Sequence, residues 1–167
     1  RPIDGGDAYV ESLRGRDVTV YLFGERVAEP VDHPVIRPSI NALAATYDLA
    51  RDEPALATAH SPLIDAPVNR FLHIPTCPED LVQKNRMQRR LGQITGTCFQ
   101  RWAGLDTISV LHSITYDIDQ AHGTAYHERY LAFLEEAQRH NVIIGAGMTD
   151  PKGDRSRRPR ASSTRHT

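Results

Sequence analysis

Apolar residues recur along this chain at two spacings. In "DVTVYLF" (17–23) β-branched and aromatic residues alternate with polar ones, which predicts a strand. Gly24-Glu25-Arg26 turns that strand, and "RVAEPV" predicts a short return, so a small β-hairpin forms near the N-terminus. Elsewhere the spacing is helical. Asp7 caps a short helix over "AYVESLR" that stops at Gly15. Pro38 suits a first helical turn, and Ile40, Leu43, Ala44 and Tyr47 then share one face until Pro54 ends the run. Residues 55–68 predict a loop or a broken helix, and "NRFLHI" a short extended piece.

In the second half "TCPED" marks a helix start: Thr76 and Glu79 form a capping box with Pro78 in the first turn. Leu81, Lys84, Met87, Arg90, Leu91 and Ile94 keep helical spacing, while Gly92 and Gly96 weaken the helix toward Cys98. A further helix runs from about Asp106 through "ISVLHSITYDI". "GTAYHERYLAFLEEAQRHN" predicts a last helix with Tyr126, Tyr130, Phe133, Leu134 and Ala137 inward, stopped by Asn141. "VIIGAGM" (142–148) fits a buried strand or a connector. The fold class is therefore mainly α, with one small hairpin and no internal repeat.

Composition narrows the class without changing that picture. The 167 residues are 40% apolar and 25% charged, the balance of a globular domain rather than a disordered segment. No run approaches the roughly 20 apolar residues that span a bilayer. Two cysteines, Cys77 and Cys98, make no disulfide framework and read as reduced thiols of a cytoplasmic protein. The net charge of −1 hides an asymmetry: "KGDRSRRPRASSTRHT" at the C-terminus is strongly basic and leaves the body acidic. That tail carries no aromatic residue to stack on bases, so it does not read as a nucleic-acid arm.

Candidate chemistry is sparse. "TGTCFQRW" (95–102) begins like a Cys-x-x-x-Cys metal clip, but Trp102 stands where the second sulfur would be. Indole nitrogen only donates, so on spacing alone Cys98 is a packed thiol. His122 and His127 are five apart, on different helix faces, and read as surface or capping histidines rather than a zinc pair. Glu128, Glu135 and Glu136 lie on a charged helix face, with Glu135 four residues before Arg139. There is no nucleophile elbow, P-loop or GxGxxG. "MTDPKGDR" (148–155) makes a tight turn presenting amides, a Lys and an Arg, suited to a phosphate or a flavin edge and equally to an ordinary surface turn.

Four stretches, taken in order, resemble one flavin family. They are "VDHPVIRPSIN" (31–41), "MQRRLGQITGTCFQRWAGLD" (87–106), "TYDIDQAHGTAYH" (115–127) and "MTDPKGDR" (148–155). The family is that of 4-hydroxyphenylacetate 3-hydroxylase and 4-hydroxybutyryl-CoA dehydratase, with the dehydratase branch the more similar. The likeness covers about residues 7 to 159 and stops after Pro159. It implies an acyl-CoA-dehydrogenase-like fold, with this chain as the N-terminal helical domain (1–147), the start of the flavin-contacting β domain (148–159) and a disordered or out-of-frame tail (160–167). The family chains are several-fold longer, so the expectation is a truncated piece that is not catalytic by itself.

The resemblance also implies roles. Thr149, Asp150, Lys152 and Arg155 match the dehydratase segment that contacts FAD. Cys98 matches the first ligand of a [4Fe–4S] cluster and Trp102 replaces the second, so cluster binding is not expected here. In the hydroxylase branch Asp106 matches the family Asp, Thr107 stands where a substrate-gripping Tyr would be, and no Arg match follows Trp102. The histidine that branch places before the Asp-Pro turn is absent. The implied substrates are an acyl-CoA or a phenol, the implied assembly is a tetramer, and no nucleic acid or membrane partner is expected. Two alternatives to the dehydratase reading stand: a flavin-dependent aromatic monooxygenase, and a non-catalytic remnant or assembly partner.

Overall fold

The computed structural model describes residues 2–96 and 101–145. The elements run α1 (Gly6–Leu13), β1 (Val20–Leu22), β2 (Glu25–Val27), α2 (Arg37–Asp52), α3 (Pro54–Ala57), β3 (Thr58–Ser61), β4 (Ala66–Asn69), α4 (Pro78–Thr95), α5 (Arg101–His122) and α6 (Tyr126–His140). A 3-10 turn at Arg70–Leu72 follows β4. The mainly helical class holds, but among the described residues two antiparallel hairpins are present rather than one.

The first hairpin closes tightly. Leu22 pairs with Glu25, so Phe23 and Gly24 alone form the turn, both at positive φ (53° and 85°). This is the geometry that matches the right-handed twist of the flanking strands. The turn therefore sits one residue earlier than the sequence suggests. Where a loop or a broken helix was expected over 55–68, the short helix α3 is followed by a second hairpin, β3 with β4. Its sequence alternates weakly and carries Pro67, which such a short edge strand tolerates. Arg70 secures it by donating to the carbonyls of Leu56 (2.9 Å) and Thr58 (2.6 Å).

Two apolar clusters form the core. The larger joins Ala42 and Leu49 of α2, Phe71, Met87 and Leu91 of α4, Leu105 and Ile108 of α5, and Tyr130 and Leu134 of α6. The smaller joins Tyr9, Val31, Ile40, Ala44 and Tyr47, and binds α1 to α2. Helix α1 starts at Gly6, whose N–H donates to Asp48 Oδ1 at 2.9 Å; Asp7 lies in the first turn instead of capping it. Helix α5 starts five residues before Asp106, because Arg101, Gly104, Leu105 and Ile108 already form its buried stripe. On α6 the inward stripe is Tyr130, Leu134, Ala137 and Gln138, while Tyr126 and Phe133 are about half exposed. Gln138 can lie on the inward stripe because both ends of its amide find partners inside: Oε1 accepts from Ser61 Oγ and Nε2 donates to Leu72 O, both at 2.8 Å. Asn141, at φ 52°, ends α6 as expected, and residues 142–145 form a connector rather than a strand.

The cap of α4 is also built differently. Cys77 is the N-cap, and Asp80 rather than Glu79 reaches back, accepting from Thr76 N (2.9 Å) and Thr76 Oγ1 (3.2 Å). Asp80 lies 3.1 Å from His73 Nε2 as well. Burial alone would raise the Asp80 carboxyl, but the Thr76 amide and His73 outweigh it and hold the group well below the ordinary carboxylate range. The sign follows: this stability is present above the unfolded carboxylate pKa, about 4, and is lost as pH falls below it. Asp80→Asn should therefore cost about 2 kcal/mol near neutrality. The gap between the two melting temperatures should shrink steadily on acidification, which thermal unfolding of both proteins across a pH series checks. Among the described residues, no helix is long and apolar enough to cross a membrane.

Candidate functional site

The start of α5 carries the least ordinary chemistry. Arg101 is 1% exposed. Its Nη1 donates to Thr46 Oγ1 on α2, and its guanidinium lies 4.6 Å from the Tyr47 ring centroid and 4.8 Å from that of Phe71. The stack continues on both sides. Tyr9 lies on Tyr47 at 5.3 Å and Trp102 on Phe71 at 5.2 Å, so five side chains from α1, α2, the 70–72 turn and α5 pile up in sequence.

The cation is only partly matched. Nε and Nη2 of Arg101 meet no acceptor among the described residues. Burial lowers its pKa to about 10, which leaves it charged at neutral pH; Tyr9 and Tyr47 are raised by burial despite the nearby positive charge. A buried guanidinium with two unmatched donor positions is costly, by several kcal/mol if nothing meets it. Such an arrangement is suited to an acceptor-rich or anionic group.

One turn along, Gly104 packs against the backbone of Ile144, leaving no space for a Cβ. Asp106 is mostly exposed and pairs with Lys84 Nζ at 2.5 Å. Thr107 Oγ1 donates back to Ala103 O at 2.6 Å, so the hydroxyl is used within its own helix.

Cys98 and the expected flavin-loop residues Thr149, Asp150, Lys152 and Arg155 lie outside the described residues. Trp102 is described, half-buried on Phe71 as a packing residue. His122 is the exposed last residue of α5, whereas His127 packs on His112 at 5.1 Å with Nδ1 3.0 Å from Thr115 Oγ1. The two histidines, expected as surface or capping residues, thus differ in their settings. Glu135 pairs with Arg139 at 2.7 Å. No group of three or more His, Cys, Asp or Glu among the described residues is placed to hold a metal. Sequence reasoning passed over Arg101 entirely. Its signal was a charge inside the periodic stripe 101, 104, 105 and 108.

Comparison with known proteins gives this geometry a context. Residues 5–167 match the family described as 4-hydroxyphenylacetate 3-hydroxylase N terminal. The chain belongs to this family. Within the family it is 46% identical over 157 residues to the 4-hydroxybutyryl-CoA dehydratase/vinylacetyl-CoA-Delta-isomerase of Clostridium aminobutyricum, covering 93% of this chain and 32% of the relative. It is 22% identical over 157 residues to the 4-hydroxyphenylacetate 3-monooxygenase oxygenase component of Geobacillus sp. (strain PA-9), with the same coverage. Among solved structures, an oxygen-tolerant archaeal 4-hydroxybutyryl-CoA dehydratase from N. maritimus superposes with a TM-score of 0.88 at 62% identity, covering 94% of this chain and 31% of that one. An oxygenase component of 4-hydroxyphenylacetate 3-monooxygenase, complexed with FAD and 4-hydroxyphenylacetate, superposes at 0.71 with 21% identity and supports the fold alone. The chain thus spans about a third of the length of these family members and matches their N-terminal portion.

Proposed function

We propose that this chain forms the N-terminal helical part of an FAD-dependent enzyme that acts on a CoA thioester in the manner of 4-hydroxybutyryl-CoA dehydratase. The observation that carries this reading is the contrast in identity over equally long matches, 46% to the dehydratase against 22% to the monooxygenase. Thr149, Asp150, Lys152 and Arg155 are the residues assigned to the flavin by sequence. Among the described residues Arg101 carries unmatched Nε–H and Nη2–H of the kind that suit the carbonyl oxygens of an isoalloxazine edge, and at 1% exposure it would meet one only after local rearrangement of its stack. When bound, FAD supplies the electron transfer of the family's chemistry. The chain's own contribution is a water-excluding stack, Tyr47 and Phe71 about Arg101, that holds a positive charge inside the fold.

A [4Fe–4S] cluster does not fit the residues at 98 and 102. Trp102 offers no electron pair to iron, and its ring is already packed on Phe71. No step is therefore derived through a cluster. This one position favours a second reading, cluster-free flavin chemistry of the monooxygenase type, in which reduced flavin and oxygen act on a phenol.

Anaerobic expression of the longest reading frame containing these residues separates the readings. The protein should purify with flavin absorbance, without iron–sulfur absorbance, and should bind 4-hydroxybutyryl-CoA. Phenol-stimulated consumption of oxygen and reduced flavin would establish the monooxygenase reading instead. A flavin-free protein that forms complexes only with a longer relative would make it an assembly partner.

A further inference from the structure

A cavity of about 470 Å³ opens between α4, α5 and α6, closed on its other side by the segments 61–63 and 73–76. It lies roughly 10 Å along α5 from Trp102, taking 1.5 Å per residue to Ser109, and shares no lining residue with the Arg101 stack. Its apolar wall is entirely aliphatic, formed by leucines such as Leu63, Leu81 and Leu131 together with Ile74 and two prolines. The charges at its edge are already matched. Lys84 is tied to Asp106 at 2.5 Å, and Asp80 behind the wall is held by His73 and Thr76. The buried amide of Gln138 is spent on Ser61 and Leu72. Three side chains in the lining keep hydrogen-bonding atoms unmatched among the described residues: His73, whose buried Nδ1 has no partner, the His112 ring, which makes aromatic contacts only, and the Ser113 hydroxyl; the last two flank each other on α5. Burial and neighbouring His127 lower the His112 pKa and favour the neutral ring, which presents one acceptor and one donor nitrogen.

We infer that this cavity is a binding site for a small neutral aliphatic alcohol, with the alkyl body on the leucine wall and the hydroxyl between His112 and Ser113. A hydroxyl can donate to one of these groups and accept from the other. A carboxylate or phosphate finds no unpaired cation there. The size falls within the range of small-molecule pockets, about 300–1,000 Å³. This inference stands apart from the flavin reading, because it uses none of the same residues.

The test is an NMR amide-shift titration of the whole 167-residue chain with 1-hexanol, and in parallel with hexanoate. Saturable shifts at Ser109, Ser113 and Leu131 with 1-hexanol, and about tenfold weaker binding of hexanoate, are expected. Ser113→Phe fills the mouth from an exposed position and should abolish the saturable shifts while leaving the remaining spectrum unchanged. Should that variant lose its dispersed spectrum, Ser113→Ala serves in its place, with several-fold weaker hexanol binding expected. Non-saturating shifts with 1-hexanol, equal binding of hexanoate, or unchanged affinity in a folded Ser113 variant would each overturn the assignment.

Discussion

Gly104→Ala should lower the stability of this chain by about 3 kcal/mol, the upper part of the range for overpacking a filled site. A Cβ at this position would overlap the carbonyl of Ile144, an atom of the main chain that no rotamer change can remove. Either α5 retreats from the core through Leu105 and Ile108, or the 142–145 connector lifts off the helix. For a domain of this size the melting temperature should fall by roughly 10 °C. Gly92→Ala provides the control of opposite sign. Nothing lies within 4 Å of a Cβ there, and the position is inside α4, so alanine should gain about 0.5–1 kcal/mol from helix propensity. Circular dichroism melts of the two variants check both. The consequence for function is positional: the connector held by Gly104 leads directly to the segment assigned to the flavin. In the flavoprotein proposed above, the same Gly104→Ala change should therefore lower flavin affinity before secondary structure is lost.

Much of this fold was legible because its helices bury simple apolar stripes. Met87 and Leu91, or Tyr130, Leu134 and Ala137, recur at helical spacing, and their ends carry strong local signals such as Pro38 and Asn141. What escaped was encoded by polar residues working inside. The β3–β4 hairpin is fixed less by alternation than by Arg70, which serves carbonyls twelve and fourteen residues earlier. Phe133 read as core because it is apolar but is half exposed, while the polar Gln138 is buried through two hydrogen bonds to distant elements. The start of α5 was set too late for the same reason. Arg101 opens the helix as a buried cation, and a pattern of apolar letters treats it as a loop residue. The family was legible in motifs such as those around Cys98 and Trp102 and in the 148–155 loop, whereas Cys98 and the loop residues lie outside the described residues, and the buried Arg101 carried no motif to mark it.

Arg101→Met should raise the melting temperature of the isolated chain, against the usual direction for a buried substitution. The native guanidinium is stripped of water and matched at Thr46, with two donor positions unmet among the described residues. Replacing buried ionic groups by apolar ones of similar volume is often stabilising, by roughly 1–4 kcal/mol. The lost contacts with the Tyr47 and Phe71 rings, about 0.5–2 kcal/mol, reduce that gain without cancelling the expected sign. Thr46 does not become an orphan, since its hydroxyl still donates to Leu43 O at 2.6 Å. Arg101→Lys should behave differently: it keeps a buried charge but loses the planar fork, so it should be no more stable than the parent. In the flavoprotein proposed above the order should invert, with Arg101→Met losing about tenfold or more in flavin affinity, the equivalent of one charge-assisted hydrogen bond. Melting curves of the short chain and flavin titrations of the long protein measure the two sides separately. If Arg101→Met instead destabilises the short chain by several kcal/mol, the unmet donors are satisfied from within that chain, and Arg101 is a structural cation rather than one held ready for a cofactor.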